Sequence, residues 1–195
     1  MGLNNLKDTD WLNVVLQCLL RVKSIRNFFL KEENYSSCKS VLVQRFGEIV
    51  RKLCNPKAYK PHVSPHELLQ VITTASEKKF KIGQQCDVAQ FISWLIHSLD
   101  RDLSQSLKSK SPFGKAFQGI VKITTIKNEI AMTDDLVEEK LVPFKYLSLK
   151  LPSDPLFKEE EQISSIPQIP IDSLLSKFDG EKLEVGISGE YSHFF

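Results

Sequence analysis

"GLNNLKDTDWLNVVLQ", residues 2–17, is the stretch on which the reading of this chain turns. It sets Asn5 five residues ahead of Asp10, and from Trp11 onward Val15, Cys18, Leu19 and Val22 recur at helical spacing. Leu12, Leu16 and Leu20 fill the other side, so the spacing predicts a helix that is apolar nearly all round. Such a helix is expected in the middle of its domain. Thr9 or Asp10 is its expected N-cap.

The rest of the chain is consistent with a soluble intracellular protein. Its 195 residues suffice for one ordinary domain with a core, or for part of a larger one. With 42% hydrophobic residues, 26% charged and a net charge of +2, the composition makes no electrostatic case for a dedicated nucleic-acid binder. Cys18, Cys38, Cys54 and Cys86 lie far apart, without CxxC or zinc-finger spacing, and read as reduced thiols; no metal or cofactor site is expected. No apolar run approaches the roughly 20 residues of a membrane span.

The organisation runs from helices to strands. Leu42, Phe46, Ile49, Val50 and Leu53 predict an amphipathic helix, and "SPHELL" (64–69) a second, with Ser64 as N-cap and Glu67 closing a capping box. A further helix starts at Asp87 and carries Phe91, Ile92, Leu95, Ile96 and Leu99 inward. Residues 1–103 therefore read as a helical subdomain and the polar stretch 104–115 as a loop. Residues 116–185 read as strands with a short helix at Asp172–Phe178, and 186–195 as a divergent tail without a convincing element. "FQGIVKITTIK" (117–127) and "YLSLKL" (146–151) have strand character, with the acidic "NEIAMTDDLVEE" (128–139) connecting them. The fold class is α+β.

Chemically, a helix start is where a catalytic cysteine belongs, because the macrodipole favours its thiolate. Asn5 could donate to an oxyanion there, but the residue in place is Asp10, which reads as a helix cap. A carboxylate nucleophile or an aspartic dyad would need a second carboxylate, and Asp8 would not face Asp10 on a helix. His62, His66 and His97 read as solvated or packed side chains, and His193 lies too near the chain end to be a convincing base. Cys18, expected on the inward face two turns in, should be inert.

The opening stretch resembles the first motif of the ubiquitin-specific proteases, Gly-Leu-x-Asn-x-Gly-Asn-Thr-Cys-aromatic-x-Asn-Ser followed by Leu-Gln. Gly2, Leu3, Asn5, Thr9, Trp11, Asn13, Leu16 and Gln17 match. Lys7–Asp8 replace Gly-Asn, Val14 replaces Ser, and Asp10 replaces the nucleophile. "QCDVAQFI" (85–92) is similar to the family's Gln-x-Asp-Ala-x-Glu-Phe-Leu, with Asp87 and Phe91 matching and Gln90 in place of Glu. "AFQGIVKITTI" is similar to the strand entering the fingers region, without its zinc-binding CxxC, and "PFKYLSLKLP" to a palm strand.

Together with "LVQRFGEIVRKLCNPKAYKPHVSPHELLQ" (42–70), these phrases resemble the non-catalytic, splicing-associated branch of that family. The resemblance implies a papain-like fold, of which this chain holds the helical thumb and the first strands of fingers and palm. It is expected to be a truncated or incomplete form, stopping before the family's second half. The resemblance further implies a nuclear protein with no catalytic residues and a vestigial site at Asn5 and Asp10. Trp11, Asn13, Gln17, Asp87 and Gln90 are its candidate binding positions. Its implied partners are spliceosomal tri-snRNP proteins and, weakly, ubiquitin, with no direct nucleic-acid or membrane contact. Two other readings stay open: a deubiquitinating cysteine hydrolase using Cys18 or another thiol, and a ubiquitin-binding module that does not cut.

Overall fold

A two-residue strand, β1 (Gly2–Leu3), leads through a tight turn into α1 (Asp10–Arg21). In this computed structural model, residues 1–127, 136–149, 169–178, 183–185 and 191–194 are described. The chain divides into two units, Met1–Gln118 and Gly119–Phe195.

In the first unit α1 is followed by α2 (Lys23–Leu30), a 3-10 turn (Glu32–Asn34) and α3 (Val41–Leu53). Strand β2 (His62–Val63) pairs in parallel with β1, Gly2 opposite His62. Then come α4 (His66–Ala75), α5 (Val88–Leu107) and α6 (Pro112–Phe117). The buried apolar core runs from Trp11 to Phe113, all within this unit. Trp11, Phe80 and Phe91 meet edge-on or tilted at centroid distances of 4.6–6.0 Å, and Phe29, Phe46 and Phe113 form a second aromatic group. Aromatic burial on this scale is the main source of stability, each ring worth about 1.5–3 kcal/mol over exposure. Gly47 is required on α3 because the Tyr35 ring lies where its Cβ would stand. The Tyr35 hydroxyl there accepts from Arg51.

The second unit is an antiparallel sheet in the order β4–β3–β6–β5, built from β3 (Gly119–Lys127), β4 (Leu136–Phe144), β5 (Leu183–Val185) and β6 (Tyr191–Phe194). A short helix, α7 (Ile171–Leu175), continues as a 3-10 turn to Phe178. The Phe144 ring covers Gly119, its cross-strand neighbour.

The α+β class and the helix-then-strand order hold, with local corrections. The stretch 104–115 is not one loop: α5 runs on to Leu107 and Ser111 caps α6 through Phe113 and Gly114 N–H groups, leaving 108–111 as the connection. The polar residues there are the exposed end of an amphipathic helix. "YLSLKL" is not a strand where described, since 146–149 have no regular structure; its alternation is not matched by a partner strand. The second strand comes from 136–144, partly inside the stretch expected to connect. The tail contributes β6, which pairs with β5 just ahead of it and with β3 some 70 residues away, a pairing invisible to local pattern. Ser64 and Glu67 form no capping box: Pro65 occupies the N-cap position, and Glu67 instead pairs with Arg45 on α3 at 2.9 Å. Most of the Pro-punctuated stretch 165–171 lies outside the described residues. Among those described, no helix is long and apolar enough to cross a membrane.

Candidate functional site

The start of α1 is organised by one side chain. Asn5 Oδ1 accepts from the backbone N–H groups of Lys7 (3.2 Å) and Thr9 (3.0 Å) and from the Thr9 hydroxyl (3.0 Å). The buried Thr9 hydroxyl in turn accepts from Leu6 N–H at 2.9 Å. Thr9 sits at the N-cap position but its side chain faces back into the turn, so it does not cap. Asp10 is not a cap either. It is the first helical residue, exposed, and its Oδ1 accepts from the Gln85 side-chain amide at 3.2 Å. Its charge still complements the positive end of the helix dipole.

The turn is backbone-strained. Lys7 has φ +123° and Asp8 φ +47°, a region that favours glycine, and these are the two residues that stand where the resembled motif has Gly-Asn.

A second segment closes over this turn. Gly83 N–H donates to Lys7 C=O at 3.0 Å, and Trp11 Nε1–H is shared between the carbonyls of Asp8 (2.8 Å) and Gln84 (3.2 Å). Asp87 caps α5 by accepting from Ala89 N–H at 2.8 Å. Between Gln85 and Asp87, the half-buried Cys86 thiol is pushed up to about 11, chiefly by burial and further by Asp87 and Asp10. It is therefore a protonated, poorly nucleophilic sulfur at neutral pH.

The remaining motif positions hold the frame. Asn13 Nδ2 donates to Asn4 C=O and Gln17 Nε2 to Met1 C=O, each at 3.2 Å, which ties the segment ahead of the turn to the side of α1. Gly2 and Asn4 N–H groups donate to Pro61 and Val63 carbonyls. Asn5, Asp10, Trp11 and Asp87 thus meet at one place, and Asn13 and Gln17 support it from behind. Gln90 is exposed on the first turn of α5.

Cys18 corrects an expectation: it is exposed, on a stripe of α1 with Asp10 and the 47% exposed Val14, so burial does not silence it. It lies eight residues into the helix, about 12 Å along the axis from Asp10 and away from the dipole's positive end. His62, His66 and His97 are exposed, and His97 Nδ1 contacts Ser93 C=O. Among the described residues no three His, Cys, Asp or Glu gather as a metal site. Local pattern gave no sign of the 83–86 clamp, because Gly83, Gln84 and Gln85 act through contacts about 75 residues distant in sequence.

Residues 1–177 match the family described as ubiquitin carboxyl-terminal hydrolase. The chain belongs to that family. Among its relatives, "Ubiquitin carboxyl-terminal hydrolase 39" of Mus musculus is 41% identical, over 92% of this chain and 36% of that protein. "Probable mRNA-splicing protein ubp10" of Schizosaccharomyces pombe is 39% identical, over 92% of this chain and 38% of that one. The crystal structure of an essential yeast splicing factor superposes with a TM-score of 0.68 at 26% identity, covering 91% of this chain and 42% of the other. The chain thus spans little more than a third of the length of these relatives, and its helices with a few strands are part of a ubiquitin-specific-protease-like fold.

Proposed function

We propose that this chain is a catalytically silent ubiquitin-specific-protease-like scaffold that acts in the nucleus in pre-mRNA splicing, through protein contacts within the tri-snRNP. The observation that carries the silence is Asp10 at the first position of α1, where the motif has its nucleophile. The only hydrogen-bond partner of its carboxylate among the described residues is the Gln85 amide, a neutral group that cannot act as a base. The neighbouring thiol, Cys86, is held protonated. Support for the splicing role comes from relatives whose names carry it.

The test has two arms. Incubation with a fluorogenic ubiquitin substrate is expected to give no hydrolysis above buffer, and turnover blocked by thiol alkylation would overturn the silent reading. Affinity purification of the tagged chain from nuclear extract is expected to bring down tri-snRNP proteins; their absence would overturn the splicing reading. Asp10→Cys is expected to remain inactive, because it supplies a thiol without a base. Titration of labelled ubiquitin followed by NMR is expected to show weak binding or none, and a nanomolar complex would instead favour a ubiquitin-recognition module.

A further inference from the structure

The net charge of +2 conceals a strong partition. The unit Met1–Gln118 carries 18 Lys and Arg against 10 Asp and Glu, a net +8, while Gly119–Phe195 carries 8 against 14, a net −6. Within the first unit 49–66 contains no carboxylate, and neither do two further segments, 11–31 and 103–118. They are more than 70 residues apart in sequence, and the fold brings them together: α2 packs against α6 through Phe29 and Phe113, whose ring centroids lie 6.1 Å apart. Arg21 and Lys23 flank the single-residue junction of α1 and α2, Arg26 follows one turn later, and Lys108, Lys110 and Lys115 lead into and along α6. All are exposed except the half-buried Arg26, and none takes part in an ion pair among the described residues. Lys23 is the first residue of α2, whose opening turn has no acidic residue and no side-chain cap, so its charge opposes the helix dipole. A sequence selected only for stability would not place it there.

We infer that the α2–α6 face is a docking surface for the phosphate backbone of RNA. Six cations against the one nearby carboxylate of Asp100, which lies beside Lys110 at the start of α6, suit a densely charged polyanion, whose binding is driven by release of condensed counterions. A protein partner would need an apolar or aromatic anchor seated in a pocket. The face offers none: Leu30, at the far end of α2, is the only large apolar side chain exposed on these two helices. Two clefts of the first unit lie around Ser40 and Asp102, away from this face. No exposed aromatic ring is present on α2 or α6 to stack on bases, so the contact is to backbone and carries little sequence preference. The choice of RNA over DNA rests on the splicing reading; the electrostatic face does not.

The experiment measures fluorescence anisotropy of a labelled short single-stranded RNA titrated with the 195-residue chain across a salt series. Binding is expected at low salt and should weaken steeply as salt rises. The variant Arg21→Gln/Lys23→Gln/Lys110→Gln/Lys115→Gln should lose affinity at least about tenfold and flatten the log–log salt slope by about 3. Lys57→Gln/Lys60→Gln/Lys78→Gln/Lys79→Gln removes the same charge from exposed positions elsewhere in the unit and should retain most of the affinity. Circular dichroism would confirm that both variants are folded. No anisotropy change at low salt overturns the inference, as does equal loss in the two variants. Tighter binding of polyglutamate than of RNA overturns it in favour of an acidic protein partner. RNA binding that follows the α2–α6 variant, in a chain that fails to co-purify with spliceosomal proteins, supports the face and overturns the splicing reading.

Discussion

At the level of single residues, the turn ahead of α1 is strained and kept in place by its contacts. Lys7 holds φ +123° because Asn5, Thr9 and Gly83 over-determine the loop around it. Lys7→Gly should therefore raise stability by about 1 kcal/mol, read as a higher urea midpoint at unchanged m-value, even after the extra chain entropy glycine brings to the unfolded state. Gly47→Ala should act in the opposite sense. Its Cβ would enter the Tyr35 ring, and overpacking of this kind costs about 1–3 kcal/mol, measurable in the same urea titration. Cys86 gives a pH signature. Its folded thiol is raised to about 11 from an ordinary value near 9.0, so the folded state keeps a proton that the unfolded chain gives up. That contribution is fully present below about pH 9 and is lost as pH climbs toward 11. Cys86→Ser should flatten the decline in melting temperature across that window.

At the level of elements, α1 has two faces where the sequence pattern suggested one. Trp11, Leu12, Val15, Leu16 and Leu19 are buried, whereas Asp10, Val14, Cys18 and Arg21 form an exposed stripe. Exposure then orders the thiols: iodoacetamide near pH 8, followed by peptide mass spectrometry, should label Cys18 first and leave the buried Cys38 until last. The helices of the first unit were legible because their periodicity is local. The short α2 and α6 were not, since eight and six residues carry little periodic signal, and both are stabilised by packing Phe29 against Phe113. The sheet was only half legible. Strand β3 announces itself through β-branched residues, but β5 and β6 are three and four residues long and exist through pairing with each other and with β3.

For the whole molecule, every buried core side chain named in the first unit lies between Trp11 and Phe113. A fragment of residues 1–118 should accordingly fold alone and melt cooperatively by circular dichroism. Phe91→Ala, which empties a site between Trp11 and Phe80, should cost it about 3–5 kcal/mol.

The sequence by itself determined the lineage, the helical first half and the placing of Asp10 where the resembled motif has its nucleophile, because motif identity and helical periodicity are local properties. Asn5, Trp11, Asn13, Gln17 and Asp87 could be named from the motif resemblance. Only the tertiary structure decided what they do. It made Asn5 the hub of a turn and moved Asp10 from cap to first helical residue, bonded to Gln85. It also turned Cys18 outward and joined two acid-free segments across α2 and α6. The physical reason is common to all of these: hydrogen-bond partners, exposure and summed charge depend on residues brought together from distant parts of the chain, and no local pattern encodes them.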